Sequence, residues 1–451
     1  MSTYLLPNAA PASEHTRDLQ GRRSLLPSAI FHASLATLLV GMAVILTTLG
    51  VGGSGQPYST AQATIIGCTF IFVLVLAVWG TRRGSAPRRL FGFLVVLVTL
   101  SGLPGLASSG QIEYSGMIFF TLLAVRNYIC FWGIPASVPA SHGRAQRAVL
   151  IWTLAATTVV AVGSLLTAQR LGVSLGSSIR LTGENHGWLN ANTTGVYCAF
   201  GILICLIVDF FPAWIRLSIG ILSAYCLILS QSRTAIVALL LAAITFMMLS
   251  IRRKQLPILL ALSMVLIMTG AAEPIFEQAQ STPAVSAVID RFTGARFNVD
   301  KTNRMETIEK GIALWESEPV FGVGYGRDDT HFENAFLSIA CESGALGLSF
   351  YLMCLGLVLK RAWALAYSNG EDARQLGKWL IAISVFILVH GLGERSHAFQ
   401  IASPVSNCFA LLSALAFRVA CRSTTPRGLR TLSVGLTGLR GAGFRRLRET
   451  A

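Results

Sequence analysis

Residues Ser230–Lys254 read SQSRTAIVALLLAAITFMMLSIRRK. No ionisable side chain interrupts the run 234–251, and Arg252, Arg253 and Lys254 stand together at its end. At about 1.5 Å of rise per residue, a helix over this run crosses most of the ~30 Å hydrocarbon core of a bilayer. Inside lipid every backbone N–H and C=O must be bonded within the segment, so helix is the only sensible reading. The basic cluster assigns one end to the cytoplasm. The short connection Ser230-Gln231-Ser232-Arg233 then lies on the opposite side.

The same pattern recurs along all 451 residues. Apolar residues make up 53% and charged residues 13%, against about 25% charged in soluble domains. The mean hydropathy is +0.61. Apolar spans are expected at 28–50, 61–80, 90–107, 115–137, 148–167, 193–210, 215–230, 234–251, 255–272, 335–359, 379–393 and 402–420. The expected fold is therefore an all-α integral membrane protein of about twelve transmembrane helices, with one large periplasmic loop containing helix. It divides into a cytoplasmic tail (1–27), transmembrane helices one to nine (28–272), the large loop (273–334), helices ten to twelve (335–420) and a basic cytoplasmic tail (421–451). The first apolar run starts near Ser28 after a polar tail, and is too long for a cleavable signal.

The net charge of +15 follows the loops and does not form a nucleic-acid footprint. Arg82, Arg83, Arg88 and Arg89 share one loop, and Lys360, Arg361, Arg374 and Lys378 another. With twelve spans and both termini cytoplasmic, these clusters and the basic tail fall on one side. The nine cysteines lie mostly within or beside apolar runs, and none forms a CxxC pair. They read as small apolar side chains, and neither a metal nor a cofactor is expected.

Three segments face outward: 168–192, 230–233 and about 272–334. The third contains a helix expected from about Asp300 to Glu318, capped by Asp300 or Thr302 and stopped by Pro319. Arg304, Ile308, Ile312 and Trp315 would share its inner face. Arg180, Arg233 and Arg304 all fall on this side. Each alone can be an ion-pair partner. Three guanidinium groups together suit a pyrophosphate, which they grip in bidentate fashion. Gly322-Val323-Gly324-Tyr325-Gly326 follows a helix and not a strand, so it reads as a tight turn returning the chain to the membrane. Beyond it, His331 and Glu333 are candidate general bases. Glu342 reads as a helix-packing hydrogen bond or an ion-pair partner, and Gly344 and Gly347 as sites of close helix packing. Arg126, near the middle of span four, must face the bundle interior. It pairs there with a buried carboxylate or touches a phosphate.

The run Arg304, Trp315, Pro319, Gly322, Gly324, Gly326, Asn334, Leu337, Glu342, Gly344 and Gly347 resembles the O-antigen ligase and polymerase family of bacterial envelopes. Arg180 with Gly183, Asn190 and Asn192, and the pair Ser232-Arg233, resemble that family too. The likeness covers roughly 180–350. It implies an inner-membrane glycosyltransferase that moves a glycan from undecaprenyl pyrophosphate, with membrane lipids around it and a chain-length regulator as partner. Ligases pass the glycan to the lipid A core, and polymerases to another lipid-linked repeat unit. By the same likeness Arg180, Arg233 and Arg304 bind the pyrophosphate, and a histidine stands just before Asn334. Here that position holds Glu333, with His331 two residues earlier. Because polymerases vary more at this site, the departure favours a polymerase, acting without a metal. The rival from another class is a flippase for lipid-linked sugars, which needs midplane binding residues and broken helices in related halves.

Overall fold

The computed structural model describes residues 31–41, 95–98, 100–101, 123–134, 142–171, 191–250, 295–324, 332–394 and 403–419. All regular structure among them is helical. The elements are α1 (Phe31–Val40), α2 (123–134), α3 (His142–Leu171), α4 (Ala191–Ile207), α5 (Ala213–Ser230) and α6 (Arg233–Ser250). They continue with α7 (Ala295–Ser317), α8 (Ala335–Ala366), α9 (Glu371–Gly393) and α10 (Pro404–Arg418). Among the described residues, five helices are long and apolar enough to cross a membrane: α3 over Gly143–Gln169, and α5, α6, α8 and α9. The expected spans 61–80 and 255–272, both tails and most of the loop 168–192 lie outside the described residues.

The core is built around α9. Leu376, Leu380, Ile383, Phe386 and Ile387 are buried as α9 packs between α8 and α6. Gly377 lets α8 come close, since a Cβ there would lie 2.2 Å from the Ala366 nitrogen. On the outside, Trp214, Leu217 and Ile221 of α5 and Leu240, Ile244 and Met247 of α6 are exposed. Unbroken apolar surface of this kind is what a helix presents to lipid tails. The seven described cysteines are buried and unbridged.

Contacts sort the helix ends into two groups. At one end Arg147 pairs with Asp372 at 3.9 Å and lies 5.9 Å from the Phe210 ring centroid. Trp379 Nε1 donates to the Ile207 carbonyl there at 3.0 Å. Arg361, counted above in a charge cluster, donates through Nε to the Ala416 carbonyl at 3.0 Å and also to Val419. It thus caps the last carbonyls of α10, where a cation also meets the negative end of the helix dipole. The opposite end holds the first turns of α4, α6, α8 and α10 and the last turn of α9.

Two expectations are corrected. α7 begins at Ala295, so Asp300 and Thr302 lie inside the helix and cannot cap it. Ile312 is exposed, and the docked face of α7 centres on Gly311, with Ile308 and Trp315 half-buried beside it. The reason is size: a Cβ at Gly311 would lie 2.5 Å from Leu337 Cδ2, so only glycine lets α7 approach α8 this closely. Cys341 Sγ donates to the Gly311 carbonyl at 3.2 Å and fixes the contact.

Candidate functional site

The site is assembled at the end where α6 and α8 begin. Gln231 adopts a left-handed conformation, φ 50 and ψ 34, and so reverses the chain between α5 and α6 within Ser230-Gln231-Ser232. Ser230 Oγ donates to the Leu227 carbonyl at 2.7 Å and accepts from the Ser232 N–H at 3.4 Å. The turn presses on α4, because a Cβ at Gly195 would sit 2.4 Å from Ser232 Cβ. Arg233 is the first residue of α6 and is half-buried. Its guanidinium therefore accompanies a helix N-terminus, where backbone N–H groups and the dipole both favour an anion.

Asn334 starts α8. Its Oδ1 accepts from the N–H groups of Phe336 at 2.9 Å and Leu337 at 3.0 Å. Its Nδ2 donates to the Leu392 carbonyl at 3.0 Å. One side chain thus caps α8 and latches the end of α9 onto it. Glu333 precedes the cap and is exposed. Replacing Asn334 by Ala should cost about 1–2 kcal/mol from the lost cap and release the α9 latch as well. Asn334→Ser keeps a capping oxygen but cannot reach Leu392. Thermal unfolding in detergent should therefore rank wild type above Ser above Ala, and equal losses for the two variants would deny the cap its share.

Ten residues further along, α8 is broken. Gly344 has φ 66 and ψ −173, a region essentially closed to residues with a Cβ. The segment Pro319–Gly324 fills the break. Val323 N–H donates to the Cys341 carbonyl at 2.7 Å and Gly324 N–H to the Glu342 carbonyl at 3.1 Å. On the other side, Ala345 N–H donates to Pro319 at 2.8 Å and Leu346 N–H to Val320 at 3.3 Å. The same six residues bond two backbone groups of each half-helix, as a break in an apolar helix requires. Gly322, at φ 70, would place a Cβ 2.5 Å from the Cys341 carbonyl. The expected turn is thus a plug, and Gly344 marks a discontinuity in place of helix packing. Gly347 does serve close packing, with Ser101 Oγ 2.7 Å from the position of a Cβ. Glu342 is buried beside the break.

Arg126 is fully buried. Nε donates to Asn407 Oδ1 at 2.8 Å, Nη1 to Asn127 Oδ1 at 2.7 Å and Nη2 to Ser406 Oγ at 3.2 Å. These three acceptors are neutral amide and hydroxyl oxygens, not a carboxylate. Ser406 and Asn407 belong to the first turn of α10, so Arg126 lies near the Asn334 end and not in mid-bundle. Tyr197 of α4 hydrogen-bonds Ser403, the N-cap of α10, which brings a further helix start to this end.

Of the residues expected to act, Asn334 meets the last turn of α9 with Glu333 just before it in sequence, and Arg233 begins α6, which packs on α9. Arg304 lies on α7 two turns before Gly311. Arg180 and His331 lie outside the described residues. Sequence reasoning named Ser232 only within the Ser232-Arg233 pair and passed over His390. The second carried a usable signal, since a titratable side chain inside an apolar span is a functional candidate by default.

Residues 218–352 match the family described as O-Antigen ligase. The match begins in α5, takes in Arg233 and Arg304, and ends beyond the break in α8. No curated protein matches the chain.

Proposed function

We propose that this chain, whose residues 218–352 match the O-Antigen ligase family, is a member of the O-antigen ligase and polymerase family and polymerises lipid-linked oligosaccharide repeat units at the periplasmic face of the bacterial inner membrane. The observation that carries the reading is that the matched stretch holds the Arg233 start of α6, the α7 docking helix and the Glu333-Asn334 start of α8. The acceptor hydroxyl attacks the anomeric carbon of the carrier-linked glycan. The bond from that carbon to the phosphate oxygen breaks, and its electron pair leaves with undecaprenyl pyrophosphate. Glu333 or His331 takes the hydroxyl proton. Arg180, Arg233 and Arg304 compensate the charge that grows on the leaving group, so the step needs no metal. Asn334 is a positioning residue, because both ends of its amide are engaged in holding α8 and α9. Arg126 and Glu342 support the site from beneath.

Ligation to the lipid A core uses the same leaving group and is the nearest alternative. The flippase reading is weaker. Its broken helices should leave backbone groups for a substrate or ion, whereas those freed at Gly344 are bonded to Pro319–Gly324. A deletion strain separates the three. Loss of a polymerase leaves single repeat units on the acceptor, loss of a ligase leaves long glycan on its carrier, and loss of a flippase stops both. Complementation with Glu333→Gln should restore protein but lower polymer by roughly 100-fold if Glu333 is the base. Full polymer with that variant would transfer the role to His331.

A further inference from the structure

Several buried hydroxyls in these helices are satisfied by a carbonyl three or four residues back, as for Thr153, Thr157, Ser343 and Ser384. Two side chains at the Asn334 end have no hydrogen bond at any polar atom, unlike Glu394 and Asn407 at that end, which each leave one atom unbonded. Both ring nitrogens of His390 and the Oγ of Ser232 have no hydrogen-bond partner among the described residues, although His390 is 1% exposed and Ser232 0%. Unsatisfied buried polar groups are rare and destabilising, and each calls for a reason. These two sit on facing elements. Ser232 immediately precedes α6 and His390 lies in the last turn of α9, and α6 and α9 pack closely. The Phe386 ring stacks on His390 with centroids 6.1 Å apart and planes 5° apart. That contact is apolar and satisfies neither ring nitrogen. Two residues on, Asn334 grips the Leu392 carbonyl, so His390 lies within a turn of the latch beside Glu333.

We propose that His390 and Ser232 form a neutral subsite that hydrogen-bonds hydroxyl groups of the acceptor saccharide. This rests on the reading that the chain handles lipid-linked glycans. A neutral imidazole offers one donor and one acceptor, and a serine hydroxyl offers both. That set complements sugar hydroxyls, which also donate and accept. It does not suit a pyrophosphate, which needs donors and positive charge and finds them in the arginines. The division of labour places the charged leaving group on guanidinium groups and the uncharged nucleophile on a dry, polar floor, where hydrogen bonds are strengthened by the low dielectric.

The test is glycan transfer by the full-length protein in lipid vesicles, with lipid-linked repeat unit isolated from the deletion strain as acceptor. His390→Leu should leave the thermal midpoint unchanged or raised, because it removes two unsatisfied nitrogens. It should raise KM for the repeat unit about tenfold and change kcat little, as for a lost hydrogen bond in binding. His390→Gln, which again offers a donor and an acceptor, should recover part of the loss, and Ser232→Ala should raise KM in the same sense. Wild-type KM in His390→Leu would make the histidine merely structural and overturn the subsite. Should that variant fail to insert, unchanged KM in Ser232→Ala overturns it equally. Wild-type protein that transfers no saccharide fails the polymerase reading and the subsite together. Active wild type with unaltered KM in the variants fails the subsite alone.

Discussion

Gly344→Ala is expected to abolish folded protein in the membrane. The substitution forces a Cβ onto φ 66 and ψ −173, a backbone region that costs about 3 kcal/mol for an L side chain. It also sets that Cβ 2.1 Å from the Val320 carbonyl oxygen. This is backbone within the plug, so relief requires Pro319–Gly324 to move. Four hydrogen bonds across the break depend on the plug staying where it is, and groups released there have no water to turn to at membrane depth. The loss is therefore cooperative. Gly356 on the same helix is the control. Nothing lies within 4 Å of a Cβ there, so Gly356→Ala should be neutral or slightly stabilising, as alanine is the better helix former. Immunoblots of membranes and thermal unfolding in detergent read both. Wild-type levels of Gly344→Ala would mean that α8 can run unbroken past the plug.

Arg233→Ala and Arg304→Ala are each expected to lower polymer by roughly 100-fold or more while protein levels hold, the usual loss when one donor to a departing anion is removed. Arg233 sits at the start of α6, just after the Gln231 turn. Lysine should rescue each position only in part, since it restores the charge without the planar fork. The measurement is the length ladder of glycan in complemented deletion cells, normalised to membrane-bound protein. If both alanine variants assembled polymer normally, the pyrophosphate site would have to be abandoned.

The helix spans were legible because hydrocarbon imposes a rule that a single sequence can express. Apolar runs at 215–230 and 234–251 became α5 and α6 within two residues at either end. The α8 span ran seven residues further than its apolar pattern, to Ala366. Lys360 and Arg361 blurred that boundary, yet Arg361 is bonded to the last turn of α10. The face of α7 was harder to read. Periodicity offered Ile308, Ile312 and Trp315, but contact is decided by how near two backbones can come, and Gly311 sets that. Asn334 was legible as the start of a span, and its grip on Leu392 was not, because the partner is 58 residues away.

By itself, then, the sequence determined that this is a helical membrane protein, and it picked out Arg233, Arg304, Glu333 and Asn334. These are local matters: solvent transfer, charge sorting and motif spacing are all settled within a turn or a loop. Only the tertiary structure decided that Gly344 is a break, that Pro319–Gly324 plugs it, and that His390 and Ser232 lie unsatisfied at the same end as the Asn334 latch. Those outcomes rest on which distant backbone groups meet. In a medium without water, a carbonyl freed in one helix must find an N–H elsewhere in the chain, and the one it finds is set by packing and not by its neighbours in sequence.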